Sequence, residues 1–316
     1  MKLPASIDFV ERGWLSANMV LLGGDLRGPL VVDTGYVTHA PQTLALVAQH
    51  LAREGHEAPR AVLNTHLHSD HCGGNGALQA RHGSPVWMPP GEFEAAKAWD
   101  ESRLSFDDTG QRCARFVPHK QLLPGQQIEH GPCRWDVHAA PGHDPASVIL
   151  FEPRQGILIS ADALWEKGFG IVFPELAPGP ALGAAFTEVE QTLDLIQALQ
   201  PALVLPGHGA QFTETRTALM EARSRLAYFR SEPIRHALHA AKALVMYHLL
   251  EWRERSWEAL GTWLETTPVQ QRLRALAGSS NESMDAQAWA RGLVESLCKS
   301  GQLQADAQTV RLKQQT

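Results

Sequence analysis

Ala61-Val62-Leu63-Asn64-Thr65-His66-Leu67-His68-Ser69-Asp70-His71-Cys72-Gly73-Gly74-Asn75 is the stretch from which the fold follows. Ala61–Leu63 has the look of a short buried strand. After it, His66, His68, Asp70 and His71 are packed into six residues. Imidazole nitrogen and carboxylate oxygen are the ligand types of Zn²⁺ and similar first-row ions. Alternate residues of an extended segment share a face, whereas the adjacent Asp70 and His71 point to opposite ones. All four serve one site only if the chain curls, and Gly73-Gly74 permits close backbone approach just beyond. A surface loop that binds nothing is the bland alternative. Thr-His-x-His-x-Asp-His-x-Gly-Gly is a long pattern with few chance matches, which disfavours it.

Strands and helices alternate around this segment. Ser16–Leu22 and Pro29–Val32 read as a hairpin about Gly23-Gly24-Asp25-Leu26-Arg27-Gly28, and the second strand ends in Asp33-Thr34-Gly35. Pro41–Glu54 has helical spacing, with Gly55 as its stop. A short helix from Asn75 to Arg81, a strand at Pro85–Met88 and a helix over Gly91–Arg103 follow, and 106–131 reads as irregular loops. Strands return at Arg134–Ala139, Ser147–Phe151 and Gly156–Ile159, with a helix at Thr187–Leu199 and a strand at Ala202–Leu205. Polar sequences follow these strands: Pro141-Gly142-His143-Asp144, Ser160-Ala161-Asp162 and Pro206-Gly207-His208-Gly209. Such a layout suits an α/β enzyme with its site along one sheet edge.

In this order after the first cluster, His143, Asp162 and His208 complete a pattern that resembles the metallo-β-lactamase superfamily, over roughly residues 16–210. The resemblance implies a four-layer αββα sandwich with two divalent metal ions at one edge of its sheets. His66, His68 and His143 would hold one ion, Asp70, His71 and His208 the second, and Asp162 would bridge both. Asp33 would orient ligands, a support that metal sites generally need. Zn²⁺ is the first choice of ion, with Fe or Mn²⁺ next. Two metals lower the pKa of a shared water and stabilise a developing oxyanion. Asp70, besides ligating, is placed to hold or orient the proton of that hydroxide. Cys72 occupies the variable position between His71 and Gly73 and reads as a bystander.

An Asp at position 162 sets the chain apart from the drug-hydrolysing β-lactamases and makes it look like the glyoxalase II, lactonase and nuclease branches. Trp165, Phe169 and Phe173 follow it as a candidate apolar wall for substrate. An ester, thioester or lactone carbonyl is therefore the expected small-molecule target. A lactamase-like endoribonuclease or phosphodiesterase ranks second, and a DNA-binding regulator with a ligand-sensing metal domain third.

Beyond about Thr213 helical patterns dominate. Helices at Ala237–Glu254, Ser256–Thr266 and Asp285–Ser300, then a hairpin from Gly301-Gln302-Leu303 and Thr309–Leu312, suggest a winged-helix-like module. Expected domains are residues 1–228, catalytic, and 229–316, mainly helical. From Leu226 on, 11 Lys and Arg stand against 9 Asp and Glu, a balance of +2; the rest of the chain carries −8. The overall charge of −6 disfavours a general nucleic-acid binder, although Arg253, Arg255, Arg272 and Arg274 are candidates for a local patch. The stripe Leu244, Tyr247, Leu250 and Trp257 is expected to pack on the main domain or in a homodimer. The N-terminus shows no signal-peptide pattern, and no apolar run reaches the ~18 residues of a membrane span. The four cysteines are scattered, as in a cytoplasmic protein with reduced thiols.

Overall fold

The structure, a computed structural model, describes residues 3–172, 181–278 and 285–313. It divides into two compact units. The first runs through Ala227 apart from Asp107–Gln111; the second takes Asp107–Gln111 and the chain from Tyr228 onward.

Two sheets build the first unit. One holds β1 (Ile7–Val10), β2 (Met19–Leu22), β3 (Leu30–Val32), β4 (Ala61–Leu63), β5 (Val86–Met88) and β6 (Pro118–Gln121), side by side in chain order. The β1-β2 and β2-β3 pairs are antiparallel, with Val20 opposite Val32; β3 to β6 run parallel. The other sheet holds β7 (Gln127–His130), β8 (Cys133–Ala139), β9 (Val148–Glu152), β10 (Ile157–Ala161) and β11 (Leu203–Pro206), antiparallel except for β10-β11. The expectation of loops over 106–131 is corrected here, because β6 and β7 lie within it. Both are short, and β6 is the polar sequence Pro-His-Lys-Gln on a sheet edge. Edge strands need no apolar run, so periodicity does not reveal them. β1, outside the expected elements, adds the opposite edge.

Period-two alternation sorts the side chains. Val20, Leu22, Leu30, Val32 and Leu63 of the first sheet meet Trp135, Val137, Leu150, Ile159 and Leu205 of the second in one core. Met19, Leu21, Val31, Val62 and Val86 point the other way. They pack on Val47 and Leu51 of α1 (Ala40–Glu54), Leu78 of α3 (Asn75–His82) and Phe93 of α4 (Phe93–Ala98). α2 (Ser69–Cys72) is a single turn after β4, and α5 (Ser105–Thr109) is equally short. On the far side, α6 (Ala181–Leu199) buries Val189, Leu193 and Ile196. The layer order is helix, sheet, sheet, helix.

The division into units falls within α7 (Thr215–Ser231). In the second unit, α8 (Pro233–Trp252), α9 (Trp257–Thr266), α10 (Pro268–Ala277) and α11 (Ala286–Lys299) accompany a small sheet ordered β12 (Glu254–Ser256), β14 (Thr309–Leu312), β13 (Leu303–Ala305). Among the described residues, four helices stand where three were expected, because Pro268 ends one helix and occupies the first turn of the next. Of the four candidate arginines, Arg272 pairs with Asp108, and Arg255 lies 4.8 Å over the Trp252 ring. Among the described residues no helix is long and apolar enough to cross a membrane.

The inter-sheet core predicts its own mutational cost. Leu150, 1% exposed, should lose about 2–5 kcal/mol on change to Ala. Leu26, fully exposed, should change stability by less than about 0.5 kcal/mol. Denaturant unfolding of Leu150→Ala and Leu26→Ala measures the contrast.

Candidate metal centre

The loops that leave β4, β8, β10 and β11 deliver the seven candidate ligands to one place. After β4 the chain bends at Thr65 and His66 and is extended again at His68, with ψ 146°. The single turn α2 then brings Asp70 and His71 back toward them, which is the curl that the sequence requires. His66 Nε2 lies 3.1 Å from His68 Nδ1, which is 2.8 Å from His143 Nε2. His208 Nε2 lies 3.0 Å from Asp70 Oδ2. Asp162 stands between these groups. Its Oδ2 is 3.4 Å from His143 Nε2, and its Oδ1 is 3.4 Å from His71 Nε2. Ligand atoms of three sets, His66/His68/His143, His66/His71/Asp162 and Asp70/His71/His208, each fall within 4.8 Å of one another.

This donor set fits divalent cations. Ring nitrogens that face each other at such distances present more lone pairs than shared protons satisfy, and a cation accepts them all. All seven side chains are buried, and buried carboxylates are tolerated when they are paired or bind metal.

The ring orientations are set from behind. Asp33 Oδ2 accepts a hydrogen bond from His71 Nδ1 (2.8 Å) and another from Thr65 Oγ1 (2.8 Å), while Oδ1 accepts from Thr65 N (2.9 Å). His71 is thereby held with Nε2 toward the centre. His143 Nδ1 donates to the Ile171 carbonyl (2.5 Å), which turns its Nε2 inward. Two backbone positions flanking the site are costly ones: Asp33 has φ 57° and Ala161 has φ 46°. Ala161 in that conformation aims the next residue, Asp162, at the histidines.

Glycines make room. A Cβ on Gly207 would fall 2.2 Å from Asp162 Oδ1, and one on Gly170 would fall 2.5 Å from His143 Nδ1. Gly73 and Gly74 abut the backbone of Val37 and Thr34 just as closely.

Electrostatics divide the ligands. Burial favours neutral imidazole at His66 and His68, the latter lowered to about 3. Burial would also lower His71, but Asp162, Asp33 and Asp70 overcome it and raise that ring well above the usual histidine range. Burial pushes Asp70 up, yet His71 and His208 prevail and hold it at about 2. Asp162 is likewise kept ionised against burial, by His208 and His71.

The sequence matches the family described as the metallo-beta-lactamase superfamily over residues 12–208, well over half of the chain. The chain belongs to that superfamily. It is accordingly a metal-dependent hydrolase with a His/Asp cluster. A hydroxyacylglutathione hydrolase of Anaeromyxobacter dehalogenans is 31% identical over 152 residues, 48% of this chain and 47% of that protein, so the match spans about half of that relative's length. An N-acyl homoserine lactonase of Bacillus thuringiensis is 25% identical over 216 residues, 58% of this chain and 77% of the lactonase. The crystal structure of a metallo-beta-lactamase family protein from Thermus thermophilus shares the fold, with a TM-score of 0.58 at 20% identity. That alignment covers 98% of this chain and 100% of the other.

Of the three aromatic residues singled out in sequence, Trp165 stands at the centre: its Nε1 donates to Asp162 Oδ1 at 3.2 Å. Phe169 is buried, and Phe173 lies outside the described residues. Trp14 is absent from the sequence-derived set. Its half-exposed indole stacks on His208 (centroids 5.1 Å, 4° between planes) and meets Trp165 edge-on at 5.4 Å. Only its position, a lone large aromatic between turn residues just before a strand, hints at this. Asp144, directly after His143, is a second addition; its Oδ2 lies 3.8 Å behind His68 Nε2.

Tight packing at Gly207 yields a prediction. Gly207→Ala should lower bound metal per chain, measured by elemental analysis, by displacing Asp162. Gly183→Ala, whose added methyl meets nothing within 4 Å, should leave the metal content unchanged.

Proposed function

We propose that this protein hydrolyses an ester, thioester or lactone carbonyl at a binuclear centre held by His66, His68 and His143 on one side, Asp70, His71 and His208 on the other, and Asp162 between. The observation that carries this reading is the Asp162 carboxylate, whose two oxygens each lie 3.4 Å from a histidine nitrogen of a different set. Two divalent ions bound there, Zn²⁺ foremost, would supply a nucleophile at neutral pH and charge stabilisation for the tetrahedral oxyanion.

The chain's own groups do the rest. Asp70, ionised and hydrogen-bonded to His208, can accept and orient the proton of the attacking water. Asp33 fixes the His71 ring. Trp14 and Trp165 form an indole corner beside His208, a surface suited to the apolar part of an acyl or lactone substrate. The names of the relatives support the same class: one acts on hydroxyacylglutathione and one on N-acyl homoserine lactone. A carboxylate in the bridging place supports carbonyl substrates other than β-lactam drugs.

The test is an activity panel on metal-replete protein: S-acyl thioesters, acyl homoserine lactones, p-nitrophenyl esters, a penicillin and a phosphodiester. Hydrolysis of one of the first three is expected. Activity confined to the penicillin or the phosphodiester would overturn the reading. Asp162→Ala should lose metal and activity together; full activity with one metal per chain would break the binuclear assignment. Asp33→Asn should weaken metal affinity about 10–100-fold, read by titration against a chelator.

A further inference from the structure

The second unit carries a groove that the hydrolytic centre does not use. It lies between α8 and α11, reaches the end of α7, and has a volume of about 640 Å³, within the range typical of small-molecule sites. Its floor is Gly292, where a Cβ would meet nothing within 4 Å, so the absent side chain leaves space rather than relieving a clash. Trp289 and Leu293 on α11, Leu238 on α8, and Tyr228 and Phe229 of α7 give it an apolar lining. Trp289 is 2% exposed, and its indole Nε1 is buried with no hydrogen-bond partner. Tryptophan N–H groups ordinarily find an acceptor when buried.

The charged side chains of the lining, Arg235 and Lys242, are of one sign. Arg235, His239 and Lys242 recur at the spacing that places them on one face of α8, and among the described residues no carboxylate lines the groove. Lys242 Nζ reaches across to Ser296 Oγ on α11 at 3.5 Å. An ammonium, a guanidinium and a hydroxyl thus border a cavity whose body is aromatic and aliphatic.

From this juxtaposition we infer that the groove between α8 and α11 is a binding site for a small organic anion: an apolar, acyl or aromatic body against Trp289 over Gly292, with its carboxylate, sulfonate or phosphate at Arg235 and Lys242. A nucleic acid is disfavoured, since a small concave groove does not offer the extended basic track that several successive phosphates need.

The probe is 8-anilinonaphthalene-1-sulfonate, an aromatic anion, titrated into the full-length, metal-replete protein and followed by its fluorescence, with decanoate as competitor. One saturable site is expected, displaced by decanoate. Affinity should fall at least tenfold in Gly292→Leu, which fills the floor with a better helix former, and likewise in the double variant Arg235→Gln, Lys242→Gln. Circular dichroism and metal content, unchanged in both variants, would show that the fold is kept. Absence of saturable binding, or binding that both variants leave intact, overturns the proposal. Displacement of the probe by a short oligothymidylate, with an affinity that falls steeply with salt, would identify a nucleic-acid surface and overturn it as well.

Discussion

The Asp33 carboxylate is the fixed point on which the centre depends. It sits just past β3, in a left-handed backbone conformation, and accepts hydrogen bonds from the backbone and hydroxyl of Thr65 and from the ring of His71. Those three bonds tie the end of β3 to the turn after β4. Without them the short segment from Thr65 to Cys72 would have to order four ligands against its own conformational entropy, which costs about 1–2 kcal/mol per residue fixed. A buried carboxylate with three donors is well satisfied, so its own burial is offset locally.

Charge balance extends the same logic across the site. Asp70, Asp162 and Asp33 put carboxylates beside the cluster's histidines in a pocket nearly closed to water. His71 is the ring that answers all three acids, and it is driven strongly toward the charged form. His66 and His68, buried and crowded by other rings, are driven the other way. Neutral imidazoles and ionised carboxylates are the protonation states that coordinate cations, and His66, His68, Asp70 and Asp162 are each biased toward that form.

Much of this was legible in the sequence, for identifiable reasons. The strands β2 to β5 and β8 to β11 carry apolar runs bounded by Gly, Pro or polar residues, and their ends are the places where His and Asp gather. The seven residues converge as their order implies. Residues with little local signature were not legible. β6 is polar, and β1 is a four-residue edge. Pro268 reads equally as a terminator and as the first turn of a new helix. Trp14 could not be assigned because its partner His208 is far away along the chain. Its significance lies in a stacking geometry that composition and spacing do not encode. The basic face of α8 is similarly silent until α11 is set against it.

The ligands come unequally from the two halves of the sandwich. His66, His68, Asp70 and His71 belong to the first sheet, and His143, Asp162 and His208 to the second. Each of the two proposed coordination groups draws on both. Apolar packing joins the sheets over their shared face, with a few backbone contacts at the edge, such as Val148 N to the Thr65 carbonyl and Asn18 N to the Gly207 carbonyl. The metal centre is therefore a clasp across the seam. By mutual linkage, any ion gripped there adds its binding free energy to the cohesion of the sheets. Loosening of the seam, in turn, must weaken the grip on the ion.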